Sequence, residues 1–386
     1  MKIPELADII YREAQQKDPV SILVLGPPGV GKTRTMTDVA KRIAVALGLE
    51  YKEYDDETDF DGSRHYVYIP LPLLEMEAPD LTGQLRESAD GTTVYKPPRW
   101  VKVASLCRSF IFIDDLTNAR RDDVLSSAFK ILNEKMAGFY HFRRDTIIVS
   151  AGNRTEDNSI ARPLPKPIMA GKVWTLDLGI PAVKDWANFT DAETIDKTPV
   201  PWDRRCLGYL MCFESDIVSP PEDDSEMLHA CASPRSWTKL AQRLSSTLVG
   251  QPQEVIREGA VGFLGPTIGE KFAAFIKNEI PNPKQLLERP EKFEALSHDA
   301  KFLAIASVAQ HVSTNVPNPK KAAELLSGLA DNIVKESADF IVLLVMSLPK
   351  SLPSRDAYRE QIAVELTGLS IDVASALEGI MRAMPR

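Results

Sequence analysis

The eight-residue run Gly26-Pro27-Pro28-Gly29-Val30-Gly31-Lys32-Thr33 constrains the fold of this chain more than any other feature. It fits G-x-x-x-x-G-K-[ST], and it lies between a short, nearly all-apolar strand pattern at 20–25 and a helical apolar period at 32–47. Strand, glycine loop and helix in that order make an anion cradle. Glycines let consecutive backbone N–H groups turn inward around a phosphate chain, and the positive end of the following helix favours the same charge. Lys32 then reaches the β and γ phosphates and Thr33 sets its hydroxyl on Mg²⁺, with Arg34 beside them on the helix.

Such a site also needs a carboxylate for the metal and a group to orient water. The apolar run Phe110-Ile111-Phe112-Ile113 ends in Asp114 and Asp115, at the end of a strand where ligands of parallel sheets bind. Asp114 is the expected Mg²⁺ carboxylate, acting through the metal's water shell, and Asp115 the group that polarises the attacking water. A second apolar run at 146–150 leads through Ala151 and Gly152 to Asn153, whose neutral amide can hold the water or a phosphate at the same edge.

Further strand patterns at 66–69 and 172–178 complete a five-stranded α/β core over 1–180, with a long insertion at 73–101 that reads as hairpin-bearing. From 181 to 281 helical periods dominate, broken by prolines. A polar, proline-rich connector at 282–290 then leads into a helical C-terminal region that ends at 386. The longest apolar run, 340–346, is far short of the ~18 residues that a membrane span needs and reads as a buried helix segment. No secretory leader pattern opens the chain, and four scattered cysteines make no disulfide framework, so a cytoplasmic protein is expected. The formal net charge of −8 argues against a surface that wraps nucleic acid.

Together these residues resemble the AAA+ ATPases, and within them the MoxR-like branch related to dynein motor modules. The resemblance covers about 21–290 and extends to two further segments. Ala78-Pro79-Asp80-Leu81-Thr82-Gly83 with Tyr95-Lys96-Pro97-Pro98-Arg99-Trp100 looks like the helix 2 insertion of that branch, and Ser233-Pro234-Arg235-Ser236-Trp237 looks like its sensor 2 segment. The resemblance implies a parallel five-stranded sheet flanked by helices, a helical lid, and Mg²⁺-dependent hydrolysis of ATP in a ring, most often a hexamer. It places Asn153 as sensor 1 and Arg235 on the γ phosphate. It also implies remodelling of a protein client, commonly with a von Willebrand factor A type adaptor. A motor or loader on nucleic acid, and an ATP-sensing switch with slow turnover, are the alternatives.

Two departures from the family pattern stand out. Most relatives carry Glu where this chain has Asp115, which sets the water about one C–C bond further back and points to slower turnover. Relatives also place an arginine before the last core strand to reach a neighbouring subunit's site, whereas Met169-Ala170-Gly171-Lys172-Val173 offers Lys172, a point charge. Arg162, in Ile160-Ala161-Arg162-Pro163, and Arg154 are the other candidates.

The remaining features read as structural. Glu57, Asp59, Asp61 and Gly62 mimic the start of a calcium loop, but its twelfth position is Tyr68 rather than Glu. Cys206, Cys212, His229 and Cys231 lack a C-x-x-C spacing for zinc. Basic residues Arg99, Lys102, Arg108, Arg120, Arg121, Arg143 and Arg144 gather in the core segment without the regular aromatic platforms of a nucleic-acid groove.

Overall fold

The computed structural model describes all residues except 158–160, 162–163, 165–171, 197, 220–229, 279, 353–355 and 382–386. The chain divides into two compact units, Met1–Ile180 and Pro181–Arg386.

The first unit runs α1 (Ile3–Glu13), β1 (Ser21–Leu25), α2 (Lys32–Leu47), β2 (Glu50–Glu53), β3 (His65–Pro72), α3 (Ala78–Thr82), β4 (Gln84–Glu87), β5 (Thr93–Lys96) and α4 (Arg99–Leu106). It continues with β6 (Arg108–Asp114), α5 (Asp122–Glu134), β7 (Met136–Ala137), β8 (Tyr140–His141), β9 (Ile147–Gly152) and β10 (Val173–Asp177). A fully parallel sheet has the order β10-β1-β9-β6-β3-β2. All five predicted strands are in it. The sixth is β2, a polar edge strand with no apolar run to announce it, held by the register Glu50↔His65 to Glu53↔Tyr68.

Because alternate side chains of a strand face opposite ways, the apolar strands build two cores. Ile22, Val24, Tyr68, Phe110, Phe112 and Val149 pack with Leu6 and Ile10 of α1 and Met36, Val39 and Ile43 of α2. On the other face Leu23, Ile69, Ile111, Ile113 and Ile148 pack with Trp100 and Val101 of α4 and Leu125, Ala128 and Ile131 of α5. Sandwiched this way, the sheet holds every carboxyl-terminal strand end at one edge. The insertion carries a hairpin, β4 against β5, with Leu85 opposite Tyr95. A second small hairpin, β7 against β8, follows α5, and its turn residue Phe139 packs its ring 5.5 Å from that of Tyr95.

The second unit is helical: α6 (Val183–Asp191), then a minor hairpin of β11 (Thr194–Ile195) and β12 (Thr198–Pro199), then α7 (Arg205–Cys212), α8 (Pro234–Leu244), α9 (Gln253–Leu264), α10 (Pro266–Ile276) and α11 (Pro283–Glu288). After these come α12 (His298–Asn315), α13 (Pro319–Glu336), α14 (Ala338–Ser347), α15 (Tyr358–Leu369) and α16 (Ile371–Met381). Several prolines that punctuate the sequence are first-turn residues behind a polar cap: Asn318 Oδ1 accepts from the Lys321 N–H at 3.2 Å ahead of Pro319, and Ser233 caps α8 ahead of Pro234. Residues 340–346 are buried along α14. No helix among the described residues is long and apolar enough to cross a membrane.

Candidate nucleotide site

Parallel pairing brings three strand ends together. β1 pairs with β9 so that Leu25 lies beside Gly152, β9 pairs with β6 so that Ser150 lies beside Ile113, and each strand hands its next residues to the same edge. Gly26, Asp114 and Asn153 leave from there. The sheet thus gathers a loop, an acid and an amide that are up to 127 residues apart in the chain.

In the loop, Pro27 and Pro28 lack N–H groups, and Gly29, Val30 and Gly31 donate no backbone hydrogen bond among the described residues. These are the donors that an anion would take. Gly31 has φ +98°, a left-handed turn that starts α2 and that a side chain would strain. The first turn of α2 adds the positive end of its dipole.

Lys32 Nζ donates to the carbonyls of Gly26 (2.7 Å) and Pro27 (2.9 Å) and to Asn153 Oδ1 (2.9 Å). The ammonium's three protons have three oxygen partners, so phosphate oxygens must displace some of them. Thr33 Oγ1 donates to Asp114 Oδ2 at 2.8 Å. Burial is the main influence on the Asp114 carboxyl and raises it above the usual 3.8; the Thr33 hydroxyl opposes this and the neighbouring Asp115 carboxylate adds to it. A desolvated acid next to a hydroxyl is a hard-oxygen pair that a divalent cation would satisfy, so the residues fit Mg²⁺. Arg34 is exposed, pairs with Asp38 at 3.3 Å on the surface of α2, and reaches none of these groups in a contact among the described residues.

Asp115 adopts a left-handed backbone, φ 57° and ψ 35°, at a cost of roughly 1–2 kcal/mol for a residue with a Cβ. Its carboxylate accepts from Asn118 Nδ2 at 3.1 Å, and its carbonyl accepts the Asn118 N–H at 2.9 Å. One residue earlier, Thr117 Oγ1 accepts the Asn153 N–H at 2.8 Å and so orients the amide. A Cβ on Gly152 would lie 2.7 Å from Thr117 Cγ2, so a larger residue there would push the Thr117 side chain aside. Sequence reasoning missed Thr117 and Asn118. The available signal was two hydrogen-bonding side chains within three residues of the strand-end acids.

The other expected site residues are scattered. Arg154 is tied within its own chain, to Asp157 Oδ2 at 3.1 Å and to Asp177 at 3.3 Å. Lys172 is exposed just before β10 and makes no ion pair among the described residues. Arg162 lies outside the described residues. Arg235 belongs to the second unit, exposed in the first turn of α8. Acids of the 55–61 loop bind their own turns: Asp55 accepts from the N–H groups of Glu57 and Thr58, and Asp61 from Ser63. Among the described residues no three His, Cys, Asp or Glu side chains gather to hold a metal, and His229 lies outside them.

The model of the ATPase family associated with various cellular activities (AAA) matches residues 22–168, which contain the loop, both acids and Asn153. No curated protein matches the chain. Among solved structures, NtrX from Brucella abortus in complex with ADP is similar at 13% identity, covering 86% of this chain and 67% of that one, with a TM-score of 0.38. The Aeropyrum pernix ORC1 protein in complex with DNA is similar at 14% identity over 97% of this chain and 92% of that one, TM-score 0.35. C. elegans PCH-2 is similar at 13% identity over 80% of this chain and 68% of that one, TM-score 0.32. Likenesses this distant say nothing of what this chain binds or acts on. The sheet flanked by helices is the AAA+ P-loop NTPase fold, and the segment 22–168 is an ATPase domain.

Proposed function

We propose that the chain is a Mg²⁺-dependent ATP hydrolase of the MoxR-like kind, a cytoplasmic ring of identical subunits, most simply a hexamer, that uses ATP to remodel a protein client. The observation that carries the nucleotide chemistry is the pairing of the Thr33 hydroxyl with the half-buried Asp114 carboxylate, beside an ammonium that bridges the loop to Asn153. The hairpin of β4 and β5 between β3 and β6, with Leu85, Val94 and Tyr95 exposed, supports the MoxR-like reading and gives a client apolar surface to meet.

Each residue then has a task. The loop N–H groups and Lys32 bind and orient the β and γ phosphates. Mg²⁺, held by Thr33 and Asp114, would offset the phosphate charge. Asp115 polarises the attacking water, and Asn153, aligned by Thr117, holds that water or the γ phosphate without neutralising Asp115. Arg235 reports on the γ phosphate. For the cation supplied by a neighbouring copy, the pairs that already occupy Arg154 favour Lys172 or Arg162. A von Willebrand factor A type partner is the adaptor this reading expects.

A second reading, an ATP-holding switch with slow turnover, draws on Asp115: its short side chain accepts a hydrogen bond from Asn118. One set of measurements separates the two. Lys32→Ala is expected to lose ATP binding. Asp115→Asn is expected to keep it while turnover falls about 10²–10⁴-fold, the usual contribution of a general base, and to retain clients that co-purify. Unchanged hydrolysis in either variant would refute the site, and stimulation by DNA rather than by protein would refute the client.

A further inference from the structure

The basic residues of the core segment do not stay together. Arg121 pairs with Glu77 and Asp123, and Arg99 donates to the Thr58 carbonyl. Arg108, Arg143 and Arg144 instead meet Lys17 in the wall of a cavity of about 460 Å³, with Gln15, Gln16 and Asp145. Arg108 opens β6 and Asp114 closes it, so at ~3.3 Å per residue this cavity lies about 20 Å from the metal carboxylate, at the opposite edge of the sheet.

We infer that this cavity is a second anion site, for a small ligand bearing two or more phosphoryl groups. Four cations face one carboxylate there, on a chain whose formal net charge is −8. That carboxylate is already taken, since Asp145 accepts from Arg143 Nε and Nη2, both at 2.9 Å. The nearby Asp18 is held by Lys135 at 2.7 Å. Arg108 is anchored by Nη2 to the Ala14 carbonyl at 2.9 Å, while its buried Nε lies 3.7 Å from Asp145 without a hydrogen bond. Lys17 and Arg144 make no ion pair among the described residues. Guanidinium forks match phosphoryl oxygens, and the volume lies in the ~300–1,000 Å³ range of small-molecule sites. No aromatic side chain lines the wall to stack a base, so the phosphates carry recognition.

The test titrates inorganic pyrophosphate calorimetrically into the full-length chain, in metal-free, low-salt buffer with the nucleotide loop saturated by ADP. One pyrophosphate per chain is expected, weakening as salt rises. The Lys17→Glu/Arg144→Glu variant should bind it at least tenfold more weakly, with its melting temperature and ADP affinity unchanged. Should that variant misfold, Lys17→Gln/Arg144→Gln takes its place. Should ADP fail to bind, the titration in Lys32→Ala reads the second site alone. Absence of pyrophosphate binding, or equal binding by the variants, overturns the inference. Citrate binding as tightly as pyrophosphate overturns the phosphoryl assignment, and a single-stranded DNA octamer binding more tightly overturns the small ligand.

Discussion

Replacing Asn153 with Asp changes one nitrogen to oxygen and adds a charge 2.9 Å from the Lys32 ammonium. At an effective dielectric of about 20 the added attraction is roughly 6 kcal/mol before solvation. Desolvating the carboxylate cancels most of that. What survives is the difference between a neutral and a charge-assisted hydrogen bond, about 1–1.5 kcal/mol. This gain belongs to the nucleotide-free protein, where the lysine is held by Asn153, Gly26 and Pro27. ATP must compete with the strengthened bond and also meets a new negative charge beside its γ phosphate. We therefore expect Asn153→Asp to raise the melting temperature of the nucleotide-free chain by about 2–6 °C, at about 2–4 °C per kcal/mol for a unit of this size. Its ATP affinity should fall at least tenfold. Differential scanning calorimetry and titration calorimetry read the two signs. An ATP affinity within threefold of the parent would mean that Asn153 does not face the phosphates, and the sensor role would fall with it.

Three further outcomes are expected. Burial holds the Asp114 carboxyl above its usual 3.8, so the native chain binds a proton there more tightly than the unfolded chain does, and stability is lost as pH rises from 3.8 through the native value. Asp114→Asn should thus melt higher than the parent at pH 7 in metal-free buffer and lose that advantage below pH 3.8, while Mg²⁺ no longer strengthens its nucleotide binding; a lower melting point at pH 7 would contradict the desolvation argument. Thr117→Val, nearly isosteric, removes the acceptor of the Asn153 N–H, and an unchanged kcat would limit Thr117 to packing against Gly152. In the helical unit Asp191 binds Arg204 at 2.8 Å, Arg359, and the Trp202 indole at 2.9 Å, all of them largely buried, and burial draws Arg204 down to about 10. Asp191→Ala strands two buried cations, so a loss of about 3–5 kcal/mol is expected. The helical unit's melting transition should accordingly drop about 6–20 °C.

What the sequence made legible was whatever is written locally. Apolar runs ending in Gly26, Asp114 and Gly152-Asn153 declare both a strand and the edge at which it exits, because a strand buried on both faces has no polar positions to blur its ends. β2 escaped because Glu-Tyr-Lys-Glu is an edge strand stabilised by pairing, with no apolar pattern of its own. The β7–β8 hairpin escaped because two residues per strand make no period. Thr117 escaped for a different reason, since its partner Asn153 reaches it only once β6 and β9 are side by side, and Asn118 escaped because its partner Asp115 takes a left-handed backbone that no apolar pattern marks. The cavity lined by Lys17, Arg108 and Arg144 likewise depends on three segments that meet only in the fold.

Packing ties the helical unit together along its length. Polarity and prolines make 282–290 read as a connector between a lid and a separate region, yet Leu286 and the following Phe293 are fully buried, in the same cluster as Trp237, Phe272, Leu303 and Leu344. Asp191, at the end of the unit's first helix, is bound by Arg359 from its second-last. A core that spans 183–377 and a buried charge network that reaches from Asp191 to Arg359 leave no weakly packed seam among the described residues at which the unit could bend. Any motion that ATP drives in this unit should therefore be of the whole body. Native-state hydrogen exchange offers the check: amides of α8 and α15 should open with one common free energy, and independent opening of α12–α16 would break the body in two.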